Sequence, residues 1–249
     1  GVFTRSLDIA LLNNSIDIAV HSMKDVPTQL PKGIAQAAVL KRGPVKDLLV
    51  FKSDRDFLED ENGKAIIATS SIRRKAQWLN KYPNHKVVNL RGNVNTRLQK
   101  LSSSNWNAAI FAQAGLERID LRPENSVVID WMLPAPAQGA IMVVCRDSDE
   151  HSLNACGLFN DDETSLCTHI ERDFLRTLLG GCSTPISAFA SVDDGVVTFE
   201  GNILSLDGKQ KIEIQKTAAA KSSEDLGKQA ALELLAGGGQ EIANAIRHA

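Results

Sequence analysis

The chain has 249 residues, 28 Lys and Arg against 30 Asp and Glu, and a net charge of −2, with 43% hydrophobic and 23% charged residues. The length exceeds one compact domain and favours two or three, while the composition sits near the average for soluble globular proteins. No apolar run approaches the roughly 20 residues needed to cross a bilayer, which excludes a membrane-spanning helix. The four cysteines, Cys145, Cys156, Cys167 and Cys182, are too sparse for a disulfide scaffold and form no C-x-x-C pair, so reduced thiols and a cytoplasmic location are expected. The sequence opens without methionine, almost inside a helical pattern, which leaves an upstream segment open.

Taken in order, Thr4 to Asn14 has helical spacing and leads into a strand at Ile16–Val20, and Ile34–Leu40 reads as a second buried strand. Arg42-Gly43-Pro44 breaks the pattern. Strand-like runs at Leu48–Phe51, Ala65–Ala68, Val87–Leu90 and Ala108–Phe111 then alternate with helical stretches at Ser71–Lys81 and Val94–Lys100, which predicts a mostly parallel sheet. Pro134-Ala135-Pro136 is a second break, read as a hinge, before a strand at Ala140–Cys145. Beyond Asp161 a long helix carrying Leu166, Ile170, Phe174 and Leu178 ends at Gly180-Gly181. Asp194-Gly195 and Asp207-Gly208 supply two hairpin turns, and a helix from Ser223 to about Ala236 completes an α+β terminal domain.

Charge is unevenly spread. Asn62 to Leu116 holds nine Lys and Arg and no Asp or Glu, so the remaining 194 residues sum to −11. The arginines fall in blocks, TSSIRR from Thr69 and RGNVNTR from Arg91, each after an apolar run. The end of a strand that opens a helix offers free N–H groups and hydroxyls to an anion, and two arginines in the positive first turn are unfavourable unless an anion offsets them. Arg73, Arg74, Arg91, Arg97 and Arg118 together suit a ligand with several negative groups. His21-Ser22-Met23-Lys24-Asp25 follows a strand at the end where α/β proteins place ligands, although Asp25 as a turn cap and Lys24 as a solvated charge is the plainer local reading. Gly180-Gly181-Cys182 presents a thiol just past a helix end, although a lone cysteine is more often a small buried hydrophobe. The histidines show no close metal-ligand spacing, so no metal site is predicted.

Together, HSMKDVPTQLPKG from His21, TSSIRRKAQ from Thr69, LRGNVNTRL from Leu90, PAPAQGA from Pro134 and GGCSTPI from Gly180 resemble the porphobilinogen deaminase (hydroxymethylbilane synthase) family. The five blocks occur in family order across most of the chain. The resemblance implies an α/β fold of two lobes like those of type II periplasmic binding proteins plus a small α+β C-terminal domain. Domain one would comprise residues 1–40 and 140–157, domain two 46–133 and domain three 162–249. It further implies a monomeric transferase of heme biosynthesis that joins four porphobilinogen molecules head to tail on a covalent dipyrromethane and releases hydroxymethylbilane. By motif position Cys182 would carry the dipyrromethane covalently, with Ser22, Lys24, Thr69, Ser70, Ser71, Arg73, Arg74 and Gln138 around it. Asp25 would be the catalytic carboxylate, and Arg91, Arg97 and Arg118 would bind substrate carboxylates.

Two departures from the family pattern carry expectations. An N-terminal strand and helix, with an Arg, a Ser and a Lys, would precede Gly1 in the family, which predicts a first lobe short of part of its sheet, an exposed strand edge and an unstable or inactive isolated chain. Ala137 stands where the family has glycine, and a positive φ there would strain it mildly. Two rivals remain: a two-lobed protein that binds a polycarboxylate without chemistry, and a nucleic-acid binder using Trp78, Tyr82 and Trp106. The second is weakened by the acidic remainder and the lack of a recognised module.

Overall fold

The computed structural model describes residues 2–60, 62–178 and 184–247. A first helix α1 (Val2–Leu12) precedes strands β1 (Ile18–Ser22) and β2 (Ile34–Val39). The chain then crosses to β3 (Asp47–Phe51), β4 (Ile66–Ala68), α2 (Ile72–Lys81), β5 (Lys86–Val88), α3 (Val94–Ser103), β6 (Ala108–Ala112), α4 (Gln113–Glu117) and β7 (Ser126–Ile129). It crosses back into β8 (Ile141–Arg146), which inserts between β1 and β2. After α5 (Glu150–Gly157) comes α6 (Asp162–Leu178), then a meander of β9 (Ile186–Asp193), β10 (Val196–Leu204) and β11 (Lys211–Ala219). Helices α7 (Leu226–Leu234) and α8 (Gln240–Arg247) close the described chain.

The prediction of a mostly parallel sheet is corrected. In the five-stranded sheet, ordered β5-β4-β6-β3-β7, β4 runs parallel to β5 and β6, but β3 is antiparallel to both β6 and β7. In the three-stranded sheet β8 is antiparallel to β1 and β2. The cause is the double crossing: β3 and β8 are each the first strand after a passage between sheets, and each enters against the direction of its neighbours. β3 reads as an unbroken apolar run because both of its faces are covered. Leu49 packs with Ile67, Trp78 and Ile110 on one side, and Leu48 and Val50 with Ala68, Leu90 and Phe111 on the other.

The terminal layer follows the helical spacing closely. Ile170, Phe174 and Leu178 of α6 are fully buried against Ile186, Ala188, Val197 and Phe199 of the meander. At Gly227 the helices α6 and α7 meet so tightly that a Cβ would lie 1.9 Å from the Ile170 carbonyl oxygen, which only glycine accommodates. The Asp194-Gly195 turn has φ of 47° and 74°, the left-handed pair a two-residue hairpin requires. Strand β1 is an edge of its sheet, with Ile18 and Val20 exposed. Ala137 has φ of 60° and is fully buried, so the expected strain is present.

Candidate active site

Three segments converge between the two lobes: the turn after β1, the start of α2, and the returning crossover. Residues Met23–Asp25 form a single 3₁₀ turn at the end of β1, with Met23 and Val26 buried like two plugs and Asp25 exposed between them. The Met23 N–H donates to the Ala140 carbonyl at 3.0 Å, which ties the turn to the crossover. Lys24 is half-buried and donates from Nζ to Gln138 Oε1 at 3.3 Å. Burial, followed by the charge of Arg74, pushes its pKa down to about 8.

Opposite, Ser71 caps α2 by accepting from the Arg74 N–H, and the first helical turn sends Arg73 and Arg74 inward. Their guanidinium groups meet a carboxylate of the chain itself, which the acid-free stretch did not suggest. Arg73 Nη2 and Arg74 Nη2 donate to the two oxygens of Asp47 at 2.6 and 2.7 Å, and Gln138 Nε2 donates to Asp47 Oδ1 at 2.9 Å. Asp47 has no solvent exposure and the arginines are 5% and 7% exposed. Burial alone would raise the Asp47 pKa, but the charges and hydrogen bonds of Arg73 and Arg74 outweigh it and hold the carboxyl well below its ordinary range. The cost of two cations at the positive end of α2 is therefore offset first by a carboxylate from β3, just upstream of the stretch read as acid-free. Two guanidinium groups against one carboxylate still leave a positive surplus, and both arginine Nε atoms are buried without a hydrogen-bond partner.

The hydroxyl run is also partly committed. Ser70 Oγ donates to the Leu90 carbonyl and accepts from the Leu90 N–H, and Thr69 Oγ1 accepts from the Ser71 N–H. Only part of the predicted free anion cradle is therefore open, because these groups first fix the two arginine blocks to each other. Arg97 folds back on its own loop, donating from Nε to the Gly92 carbonyl, and its pKa is lowered by burial and then by the charge of Arg74. Arg91 and Arg118 are exposed. Lys24, Ser70, Ser71, Ile72 and Arg73 line a cavity of about 260 Å³ together with Ala135, Pro136, Leu175, Thr184 and Ile186.

Two family models match the sequence: "Porphobilinogen deaminase, dipyromethane cofactor binding domain" over residues 1–154 and "Porphobilinogen deaminase, C-terminal domain" over 165–236. The chain belongs to the porphobilinogen deaminase family. A porphobilinogen deaminase of Syntrophotalea carbinolica is 38% identical over 248 residues, 99% of this chain and 78% of the relative. That of Brevibacillus brevis is 39% identical over 99% of this chain and 80% of its own length. The chloroplastic enzyme of Oryza sativa is 44% identical over 87% of this chain, which spans 61% of that relative. Among solved structures, an ancestral cationic amino acid solute binding protein aligns with a TM-score of 0.43 and 16% identity over 61% of this chain and 65% of its own, a likeness that says nothing about ligand.

Cys182 lies outside the described residues, but Thr184, two positions on, lines the cavity. The cavity fits the deaminase family's dipyrromethane in chemistry: the cations Lys24 and Arg73, the latter with an unpartnered Nε–H, for carboxylates, the hydroxyls of Ser70, Ser71 and Thr184 for polar edges, and Ile72, Leu175 and Ile186 for the flat rings. Ser22, half-buried at the end of β1, is absent from the lining. Sequence reading missed Asp47, Arg42 and Glu171. Glu171 of α6 is fully buried and accepts from both Nη atoms of Arg42 at 2.6 and 2.9 Å, from the Ala137 N–H at 2.6 Å and from the Ala190 N–H at 2.8 Å. One carboxylate of the terminal layer thus grips both crossovers. The available signal was an acid beside Ile170 on an apolar helix face, and Asp47 at the head of an apolar strand.

Proposed function

We propose that this chain acts as a hydroxymethylbilane synthase, joining four porphobilinogen molecules head to tail on a dipyrromethane held by Cys182. The observation that carries the reading is the cavity beside Thr184, which combines cations, hydroxyls and apolar walls at the junction of both lobes and the terminal layer. When bound, the dipyrromethane supplies the nucleophilic pyrrole carbon on which the chain grows. Lys24, Arg73 and Arg74 would hold its carboxylates, and Thr69, Ser70, Ser71, Ser22 and Gln138 would complete its surroundings. Asp25, an exposed carboxylate on a turn anchored at both ends, is suited to accept pyrrole N–H bonds, stabilise developing positive charge and move a proton. Arg91, Arg97 and Arg118 would bind the acetate and propionate groups of incoming substrate.

The reading includes domains at 1–40 with 140–157, 46–133 and 162–249, a monomeric state and a cytoplasmic location, the last supported by the free thiols of Cys145, Cys156 and Cys167. The test is incubation with porphobilinogen, following ammonia release and the linear tetrapyrrole together. Release of both, abolished by Asp25→Asn, is expected. Tight porphobilinogen binding with no ammonia would overturn the reading in favour of a polycarboxylate-binding protein.

A further inference from the structure

The turn that presents Asp25 is short and lacks a side-chain cap at Ser22. A three-residue 3₁₀ turn has poor internal hydrogen-bond geometry, and here the Val26 N–H reaches the Met23 carbonyl at 3.2 Å. Such a turn would not by itself hold a carboxylate to within a fraction of an ångström. The guanidinium of Arg172, reaching from α6 across about 145 positions of sequence, supplies what is missing. Its Nη1 donates to the carbonyls of Met23 at 3.2 Å and Val26 at 3.0 Å, and its Nη2 to that of Pro27 at 2.5 Å. The three carbonyls bracket Asp25 on both sides, and a planar fork can serve them together where a point charge could not.

We propose that Arg172 is a positioning residue for Asp25, a role that rests on the reading of Asp25 as the catalytic carboxylate. Its neighbour Glu171 holds both crossovers, so adjacent residues of α6 fix the crossover backbone and the Asp25 turn from one rigid helix. The register between Asp25 and the crossover that carries Gln138 is then set by the terminal layer, and α6 acts as a jig for the cleft between the lobes.

The test compares Arg172→Ala, Arg172→Lys and Arg176→Ala in the whole protein. Arg176 lies one turn further along α6 and pairs with Asp173 instead of the turn, so it controls for loss of a helix charge. Two readouts are taken: hydrogen exchange of the backbone amides of residues 23–26 and 28 without substrate, and kcat and KM for porphobilinogen. Arg172→Ala should speed exchange in that segment at least tenfold and lower kcat by roughly 10²-fold, the scale for a catalytic group displaced by about an ångström, with KM little changed. Arg172→Lys should recover part of both losses, and Arg176→Ala should move neither. Unchanged exchange at those amides in Arg172→Ala, with the rest of the chain still protected, would overturn the proposal, as would faster exchange with an unchanged kcat while Asp25→Asn is inactive. If Asp25→Asn retains activity, the assignment of Asp25 has failed, and the exchange data still decide whether Arg172 holds the turn.

Discussion

Arg73 and Arg74 differ from Arg91, Arg97 and Arg118 in a way their shared acid-free stretch conceals. The first pair is buried on Asp47 and bonded to the Leu133 and Ile110 carbonyls; Arg91 and Arg118 are exposed and Arg97 is half-buried on its own loop. A run of positive charge in sequence therefore splits into two jobs. Part of it fastens the second sheet to the crossovers, and part stays available to a ligand. A buried cation can do the first and contribute its residual charge to the second, because one carboxylate shared by two arginines leaves a surplus.

The sharpest way to break this division is Asp47→Ala. It leaves two buried guanidinium groups without a carboxylate, and a loss of about 3–5 kcal/mol is expected in denaturant unfolding. Arg97→Ala and Arg118→Ala should do the reverse: stability within about 0.5 kcal/mol of the parent, but a KM for porphobilinogen raised roughly tenfold, the scale of a charge-assisted bond to a carboxylate. If Arg118→Ala unfolds the protein, or Asp47→Ala changes only KM, the distinction fails.

Lys24 stands between the two classes. Its folded pKa, about 8, lies below that of an unfolded lysine, so keeping it charged costs stability below pH 8, and that cost fades as pH rises through 8 towards 10.5. Lys24→Met should therefore be more stable than the parent at pH 7, by on the order of 1 kcal/mol, with the difference shrinking above pH 8 and closing only beyond pH 10.5. Unfolding curves of both proteins across that range check it. The smallest effect concerns the crossover backbone. Ala137 carries φ of 60°, so Ala137→Gly should gain about 0.5–1 kcal/mol with unchanged KM, read from thermal denaturation.

Much of the fold was legible because local chemistry and burial agreed. The strand run 48–51, the α6 face and the Asp194-Gly195 turn each obey one short-range rule. Strand direction was not legible, since the sense of β3 and β8 depends on where the chain crosses between sheets. In the candidate site, TSSIRR and HSMKD converge on one cleft, but the carboxylate that pairs the arginines lay 26 residues upstream of Arg73 in a strand, and Arg172, which bonds the HSMKD turn, lay on α6. No local pattern pairs residues so far apart. Gln138 shows the same limit: its motif placed it in the cleft, while its bonds to Lys24 and Asp47 appear only in the folded chain.

The dipyrromethane proposed on Cys182 would add mass at that residue, which the intact mass of the denatured protein followed by peptide mapping reads out. A surplus matching two linked pyrrole units, confined to the peptide containing Cys182 and absent from Cys182→Ser, is the predicted result. An unmodified Cys182 in protein that nonetheless releases ammonia and hydroxymethylbilane from porphobilinogen would contradict it.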